Sequence, residues 1–246
     1  MLSDIFNSNN NGKLLIIMAH PDDETINCGG ILAKAASKKI DTYALCLTLG
    51  GLGVKTPEAP RAQLEQIRKF ELQRAASILN IKKLYLPRLP DGKLFLLRSH
   101  TKQVIRKTMR MINPSIVITH DPTGKSGHPD HVTISMCVTE IFFSKIFKNT
   151  DYYYVLSSQS KTRRGIRATH AINIIPNLTA KIRALNVYQS QIIQTSVSKR
   201  STVNWNSIDT EWFHMLHNKS YSFHIRQFQT NKGILLPGVN KKYILS

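Results

Sequence analysis

The chain has 246 residues, 41% of them hydrophobic, which is enough to bury a substantial core and too many for wholesale disorder. Thirty-four basic residues face fifteen acidic ones, a net charge of +19 that attracts phosphates, anionic lipid or nucleic acid. The lysines are spread over the whole chain rather than gathered into one binding arm. Cys28, Cys46 and Cys137 are far apart and form no CxxC pair, so a disulfide framework is not expected and a reducing compartment fits best.

Residues 1–12 are polar and asparagine-rich, without the basic and apolar regions of a signal peptide, and read as a tail. Lys13 to Ala19 (KLLIIMA) is a continuous apolar run, too short for a bilayer and suited to a buried parallel strand. Thr25 to Lys38 has helical spacing, with Ile26, Ile31, Leu32 and Ala35 on its apolar side and Gly29-Gly30 inside it, where small residues permit close packing. Asp41 to Leu49 is a second strand, followed by a Gly50-Gly51-Leu52-Gly53 loop. Glu58 to Asn80 is a long amphipathic helix carrying Leu64, Ile67, Leu72, Ala75, Ala76 and Leu79. Lys83 to Leu86 is a short strand, Leu89-Pro90-Asp91-Gly92 a turn, and Arg98 to Ile112 a helix that stops before Asn113-Pro114. Ser115 to Thr119 is a fourth strand, and Val132 to Phe147 a helix with Pro129 suited to its first turn. Tyr152 to Leu156 and Ala171 to Ile174 read as strands and Leu178 to Gln191 as one helix. The last fifty residues show no regular pattern.

This alternation predicts an α/β fold: a Rossmann-like, mostly parallel sheet with helices on both faces. No Pro/Gly/Ser-rich linker divides the chain, so residues 13–246 are expected to form one domain. No segment is long and apolar enough to span a membrane. The expected setting is cytoplasmic, with peripheral membrane contact left open.

Open parallel sheets bind ligands at the carboxyl ends of their strands. Two His/Asp clusters fall at such ends: His20-Pro21-Asp22-Asp23-Glu24 after the first strand, and the stretch from His120 to His131 after the fourth. A catalytic zinc site takes three His or carboxylate ligands and leaves one position open. His20, Asp23 and His131 supply such a set, with Asp22 left as general base toward the attacking water. His128, three residues before His131, is placed to polarise the carbonyl or protonate the leaving nitrogen, and Asp130 to orient His128. Zinc is the expected metal, and ferrous iron also accepts a two-histidine, one-carboxylate set.

Ala19-His20-Pro21-Asp22-Asp23-Glu24 after one strand and Gly127-His128-Pro129-Asp130-His131 after another resemble the LmbE-like, or PIG-L, deacetylase family. Arg68 and Glu71 with Leu72, Ala75, Ala76 and Leu79 are similar to a family helix of the form R..EL..AA..L. Leu89-Pro90-Asp91-Gly92 is similar to a family turn, and Lys181, Ala184, Leu185, Tyr188, Ser190 and Gln191 to a K..AL..Y.SQ segment. The likeness spans residues 13–191, with Glu211-Trp212-Phe213 a further match. It implies a zinc hydrolase acting mainly on N-acetylglucosamine-type conjugates. His20, Asp23 and His131 would be its metal ligands, Asp22 its base, His128 its transition-state stabiliser and Asp130 the neighbour of that histidine. Arg68 and Asp91 are then expected to contact substrate. The loop Gly50–Gly53 departs from the family, whose members often carry an acidic residue there, which leaves substrate preference open.

The expected partner is an acetylamino-sugar substrate, and the net charge suits an anionic one. An acylated antibiotic or thiol conjugate is the alternative with the same chemistry. A basic nucleic-acid-binding protein with a non-catalytic pocket is the alternative of another class, and no helix-turn-helix, zinc-finger or aromatic RNA-binding motif supports it.

Overall fold

Leu14, Ile16 and Met18 point into one hydrophobic cluster while Leu15 and Ile17 point into another. A strand buried on both faces must be apolar at every position, which is why the expected KLLIIMA run shows no alternation. The computed structural model describes residues 5–6, 12–53, 61–157, 166–192 and 209–216. All described strands join one seven-stranded sheet: β1 (Leu14–Met18), β2 (Thr42–Cys46), β3 (Lys83–Tyr85), β4 (Ile116–His120), β5 (Asp151–Leu156), β6 (His170–Asn173) and β7 (Thr210–Met215). Their spatial order is β3-β2-β1-β4-β5-β7-β6. The first five are parallel, whereas β7 runs antiparallel to both β5 and β6.

The helices are α1 (Asp23–Ser37), α2 (Arg61–Ile78), α3 (Arg98–Ile112), a short turn α4 (Gly124–Gly127), α5 (Pro129–Phe143), α6 (Leu178–Leu185) and α7 (Gln189–Ile192). Residues of α1, α2 and α6 cover one face of the sheet, through Ile31, Leu32, Leu72, Ala75 and Ala184. Residues of α3 and α5 cover the other, through Ile105, Met109, Ile134, Val138 and Ile141. The α/β architecture with helices on both faces is therefore as expected. β1 pairs with β2 on one side and β4 on the other, so the strand order reverses at β1. That reversal opens a crevice beyond the ends of β1 and β4.

Several expectations need correction. Ile26 is 41% exposed and Ile67 40% exposed. The buried stripe of α1 is Cys28, Ile31, Leu32 and Ala35, and Ile26 lies about 200° from Cys28 around the helix. Ile5 and Phe6, inside the segment read as a polar tail, are buried in the first core cluster. The helix expected from Leu178 to Gln191 is broken after Leu185, and the break turns Tyr188 and Ser190 inward. β7 lies in the stretch that showed no pattern. Its two buried side chains are Glu211 and Phe213, and a carboxylate facing the core hides the alternation that marks a strand. Glu211 accepts hydrogen bonds from the backbone amides of Gly30 (2.7 Å) and Ile31 (2.8 Å) and from Lys181 Nζ (2.7 Å). Among the described residues no helix is long and apolar enough to cross a membrane.

Candidate metal centre and active site

β1 ends at Met18 and delivers Ala19 and His20 to the crevice, and β4 ends on His120 beside it. Asp22 makes the turn into α1 with φ 108° and ψ −32°, a left-handed conformation that non-glycine residues avoid. Its carbonyl accepts the amides of Thr25 (3.0 Å) and Ile26 (2.9 Å), so the main chain starts the helix and the carboxylate makes no cap bond. α5 starts at Pro129, with His128 as its N-cap, Nδ1 accepting the amide of Asp130 at 3.2 Å.

Three donor atoms converge. His20 Nδ1 lies 3.1 Å from His131 Nε2 and 3.4 Å from Asp23 Oδ2, and His131 Nε2 lies 3.1 Å from Asp23 Oδ2. Ligand atoms about 2.0–2.1 Å from a tetrahedral zinc ion stand about 3.3 Å apart, so this triangle has the dimensions a metal requires. The set Asp23, His120 and His131 also clusters, as do His20, His128 and His131. The donor chemistry and the spacing fit a divalent ion.

The electrostatics agree. Burial disfavours a charged His20, but the carboxylates of Asp130, Asp23 and Asp91 outweigh it and hold the imidazole well above its ordinary range. Burial likewise opposes ionisation of Asp23, yet His131 and His120 hold it well below the carboxylate range. Burial pushes His120 down to about 3 and His128 down to about 4, the neighbouring histidines adding to the effect. Burial raises Asp22 to about 7 against the pull of Arg68. A cluster that draws a proton onto a buried histidine offers surplus negative charge to a cation.

The surrounding polar residues are tied into the site by hydrogen bonds. Arg68 and Asp91, expected to face substrate, are 4% and 5% exposed. Arg68 donates to Pro21 O (2.5 Å), to Asp22 Oδ2 (3.2 Å) and to Gly50 O (3.0 Å). Gly50 has φ 66°, and a Cβ there would stand 2.3 Å from the guanidinium. The glycine loop after β2 thus makes room for Arg68. Asp91 places Oδ1 3.0 Å from His20 Nε2 and accepts the amide of Leu52 through Oδ2 at 2.7 Å. Asp130 lies 3.4 Å from the same His20 nitrogen, while its carboxylate accepts the amides of Gly92 (2.7 Å) and Leu94 (2.9 Å). Its main-chain amide also donates to His128 Nδ1, and its carboxylate acts on the same imidazole electrostatically.

His120 was part of the second cluster but had no assigned role. It stacks on His131 with ring centroids 3.9 Å apart, and its Nε2 accepts the Ala19 amide (3.3 Å) and approaches Asp23 Oδ2 (3.5 Å). Its place as the last residue of a strand at the sheet's reversal is the signal that marks it. Glu24, Glu71 and Tyr188 were also unassigned. Tyr188 donates to Glu24, whose other oxygen accepts the Asp22 amide at 3.2 Å, and Glu71 accepts both the amide (2.8 Å) and hydroxyl (2.6 Å) of Ser190.

Comparison with known proteins gives the same picture. Residues 15–142, just over half of the chain, match the PIG-L family, described as GlcNAc-PI de-N-acetylase. The chain is 29% identical over 224 residues to a probable N-acetyl-alpha-D-glucosaminyl L-malate deacetylase 2 of Bacillus anthracis, covering 86% of this chain and 99% of that protein. Among solved structures, N,N'-diacetylchitobiose deacetylase from Pyrococcus horikoshii superposes with a TM-score of 0.69 at 22% identity, covering 88% of this chain and 89% of that one. GalB, a 4-carboxy-2-hydroxymuconate hydratase from Pseudomonas putida KT2440, superposes at 0.64 with 17% identity over 91% and 99%. At these identities the two superpositions establish the fold, which hosts more than one reaction. By the sequence match over residues 15–142, this chain belongs to the PIG-L (LmbE-like) family.

Proposed function

We propose that this protein is a zinc-dependent N-deacetylase that hydrolyses the acetamide of an N-acetylglucosamine-type conjugate. The observation that carries the reading is the contrast in access around the three-donor triangle. His20, Asp23, His120, Asp130 and His131 are buried, whereas Asp22 and His128 are half-buried. The two groups open to a substrate are those with the chemistry of a base and a hydrogen-bond donor.

His20, Asp23 and His131 would hold the ion. When bound it supplies Lewis-acid polarisation of the amide carbonyl and acidifies water at its open position. Asp22 takes the proton of the attacking water as the C–O bond forms. His128, neutral with Nδ1 accepting the Asp130 amide, donates a hydrogen bond from Nε2 to the developing oxyanion, the proton taken up by Asp22 passes to the departing nitrogen, and the C–N bond breaks to release acetate and a free amine. Asp91 and Asp130 position His20 by holding its far nitrogen, and Arg68 positions Asp22. The curated relative that matches almost end to end is named for an acetylated glucosaminyl conjugate with an anionic aglycone, malate, and this supports an amino-sugar substrate of the same class. The three cysteines are free and buried, which suits a reducing cytoplasm.

The test is a panel of N-acetylglucosamine conjugates, neutral and anionic, with released acetate as readout on the metal-loaded protein. Acetate release lost on chelation and restored by zinc supports the reading, and restoration by ferrous iron alone would change the metal. Full metal occupancy in a His20→Ala, His131→Ala double variant would refute the ligand set.

A further inference from the structure

Away from the site just described, an open groove of about 430 Å³ lies between α2 and the corner joining α6 to α7. Its lining is Arg74 and Ile78 from α2, with Arg183, Asn186, Val187 and Gln189 from the corner. Its lining is cationic above an apolar floor. No carboxylate lines it, and among the described residues neither arginine, both of them exposed, is in an ion pair. Its floor is packed against the fold. The Arg74 guanidinium sits 5.8 Å from the centre of the Phe70 ring, Ile78 packs on the core, Val187 is buried, and Gln189 Nε2 donates to Asn186 O at 2.6 Å.

An arginine in the last turn of a helix often serves only to neutralise that helix's free carbonyls. Here the carbonyls at the end of α6 have other donors. Asn186 N bonds Ile182 O, Val187 N bonds Ala184 O, and Tyr188 N bonds Leu185 O. Arg183 is therefore left with its donors available. Guanidinium groups stay charged at any physiological pH and present planar forks that match phosphate oxygens two at a time. The volume is that of a small-molecule site, and the floor of Ile78 and Val187 offers an apolar surface for the body of a ligand.

We propose that this groove binds a small phosphate-bearing anion of about sugar-phosphate size, clamped between Arg74 and Arg183. The site is separate from the proposed deacetylase centre and its test requires neither metal nor turnover, so failure of one leaves the other standing.

The experiment is isothermal titration of the full chain, kept metal-free with chelator, against inorganic phosphate, glucose 6-phosphate and glucose. Saturable one-to-one binding of both phosphates, with none of glucose, is expected. Arg74→Gln with Arg183→Gln should remove it. Arg74→Lys with Arg183→Lys, which keeps the charge and loses the fork, should weaken it at least tenfold. Lys107→Gln with Arg110→Gln, at two exposed positions on α3, should bind as the parent does. Circular dichroism of each variant checks the fold. Equal loss in the α3 variant, unchanged binding in the Arg74/Arg183 glutamine variant, or no saturable phosphate binding would each overturn the proposal. Binding confined to phosphatidylcholine vesicles that contain phosphatidic acid would overturn it as well, by making the surface a membrane contact.

Discussion

Replacing Asp91 tests whether the proposed metal site is held from behind. The Asp91 carboxylate makes two contacts, one to His20 Nε2 at 3.0 Å and one to the Leu52 amide at 2.7 Å. Asp130 also approaches His20 Nε2, but at 3.4 Å and with its oxygens already accepting from Gly92 and Leu94. Asp91 is thus the nearer of the two carboxylates that face the far nitrogen of His20 and leave Nδ1 for the ion. Loss of such a partner typically lowers metal affinity about 10–100-fold, or about 1.4–2.7 kcal/mol. Asp91→Ala should fall in that range. Asp91→Asn should fall short of it, because an amide can accept from His20 with its oxygen but then presents an NH₂ to the Leu52 amide. Competition against a chromophoric chelator measures the affinity, and urea unfolding of the metal-free variants separates metal loss from loss of fold. An Asp91→Ala affinity within twofold of the parent would refute the positioning role and return Asp91 to the substrate side.

Three further outcomes are expected. Asp22→Asn should retain the metal and lose about 10²–10⁴-fold in acetate release, the range for a general base; near-normal turnover would move that role to another group. Glu211→Ala should cost about 3–5 kcal/mol in denaturant unfolding, because it strands buried Lys181 and two helix amides; a cost under about 1 kcal/mol would show that water or a neighbour replaces the carboxylate. Gly30→Ala should cost about 1–3 kcal/mol in the same assay, since its Cβ would stand 2.3 Å from Ile174 Cγ2, a branched side chain with little freedom to move; a stabilised variant would mean that Ile174 repacks.

Most of the parallel half of the fold was legible because its signals are local. A strand buried on both faces is a continuous apolar run, and α3 has a clear polar and apolar side, so its observed limits, Arg98 to Ile112, coincide with the predicted ones. The residues of the three-donor triangle were legible for the same reason: His20 and Asp23 share one turn, and His131 opens the helix after β4. What the sequence did not show depends on long-range contacts. Asp91 reads as an ordinary turn residue until the turn is seen against His20. Arg68 reads as one arginine on an amphipathic helix until the glycine loop is seen wrapped around it. β7 was missed because its core-facing carboxylate is compensated by groups on α1 and α6, remote in sequence.

Those long-range contacts share a purpose around Asp22. A non-glycine residue at φ 108° costs on the order of 1–3 kcal/mol and persists only where its surroundings hold it. Its carboxylate and the carbonyl before it both accept from Arg68, and its amide donates to Glu24. Glu24 is held in turn by Tyr188 from the corner after α6, and that corner is tied to α2 where Ser190 meets Glu71, one turn beyond Arg68. The circuit is closed: α2 supplies Arg68 and Glu71, the corner supplies Tyr188 and Ser190, and the strained turn lies between them. The R..E and Y.SQ patterns, which carry no metal ligand, are accounted for as the frame that keeps the proposed base at the mouth of the site. Gly50 and Gly53 complete the frame, since a Cβ at either would lie within 2.4 Å of the Arg68 guanidinium. An acidic side chain in that loop would compete with Asp22 for Arg68, and its absence leaves the guanidinium to the base.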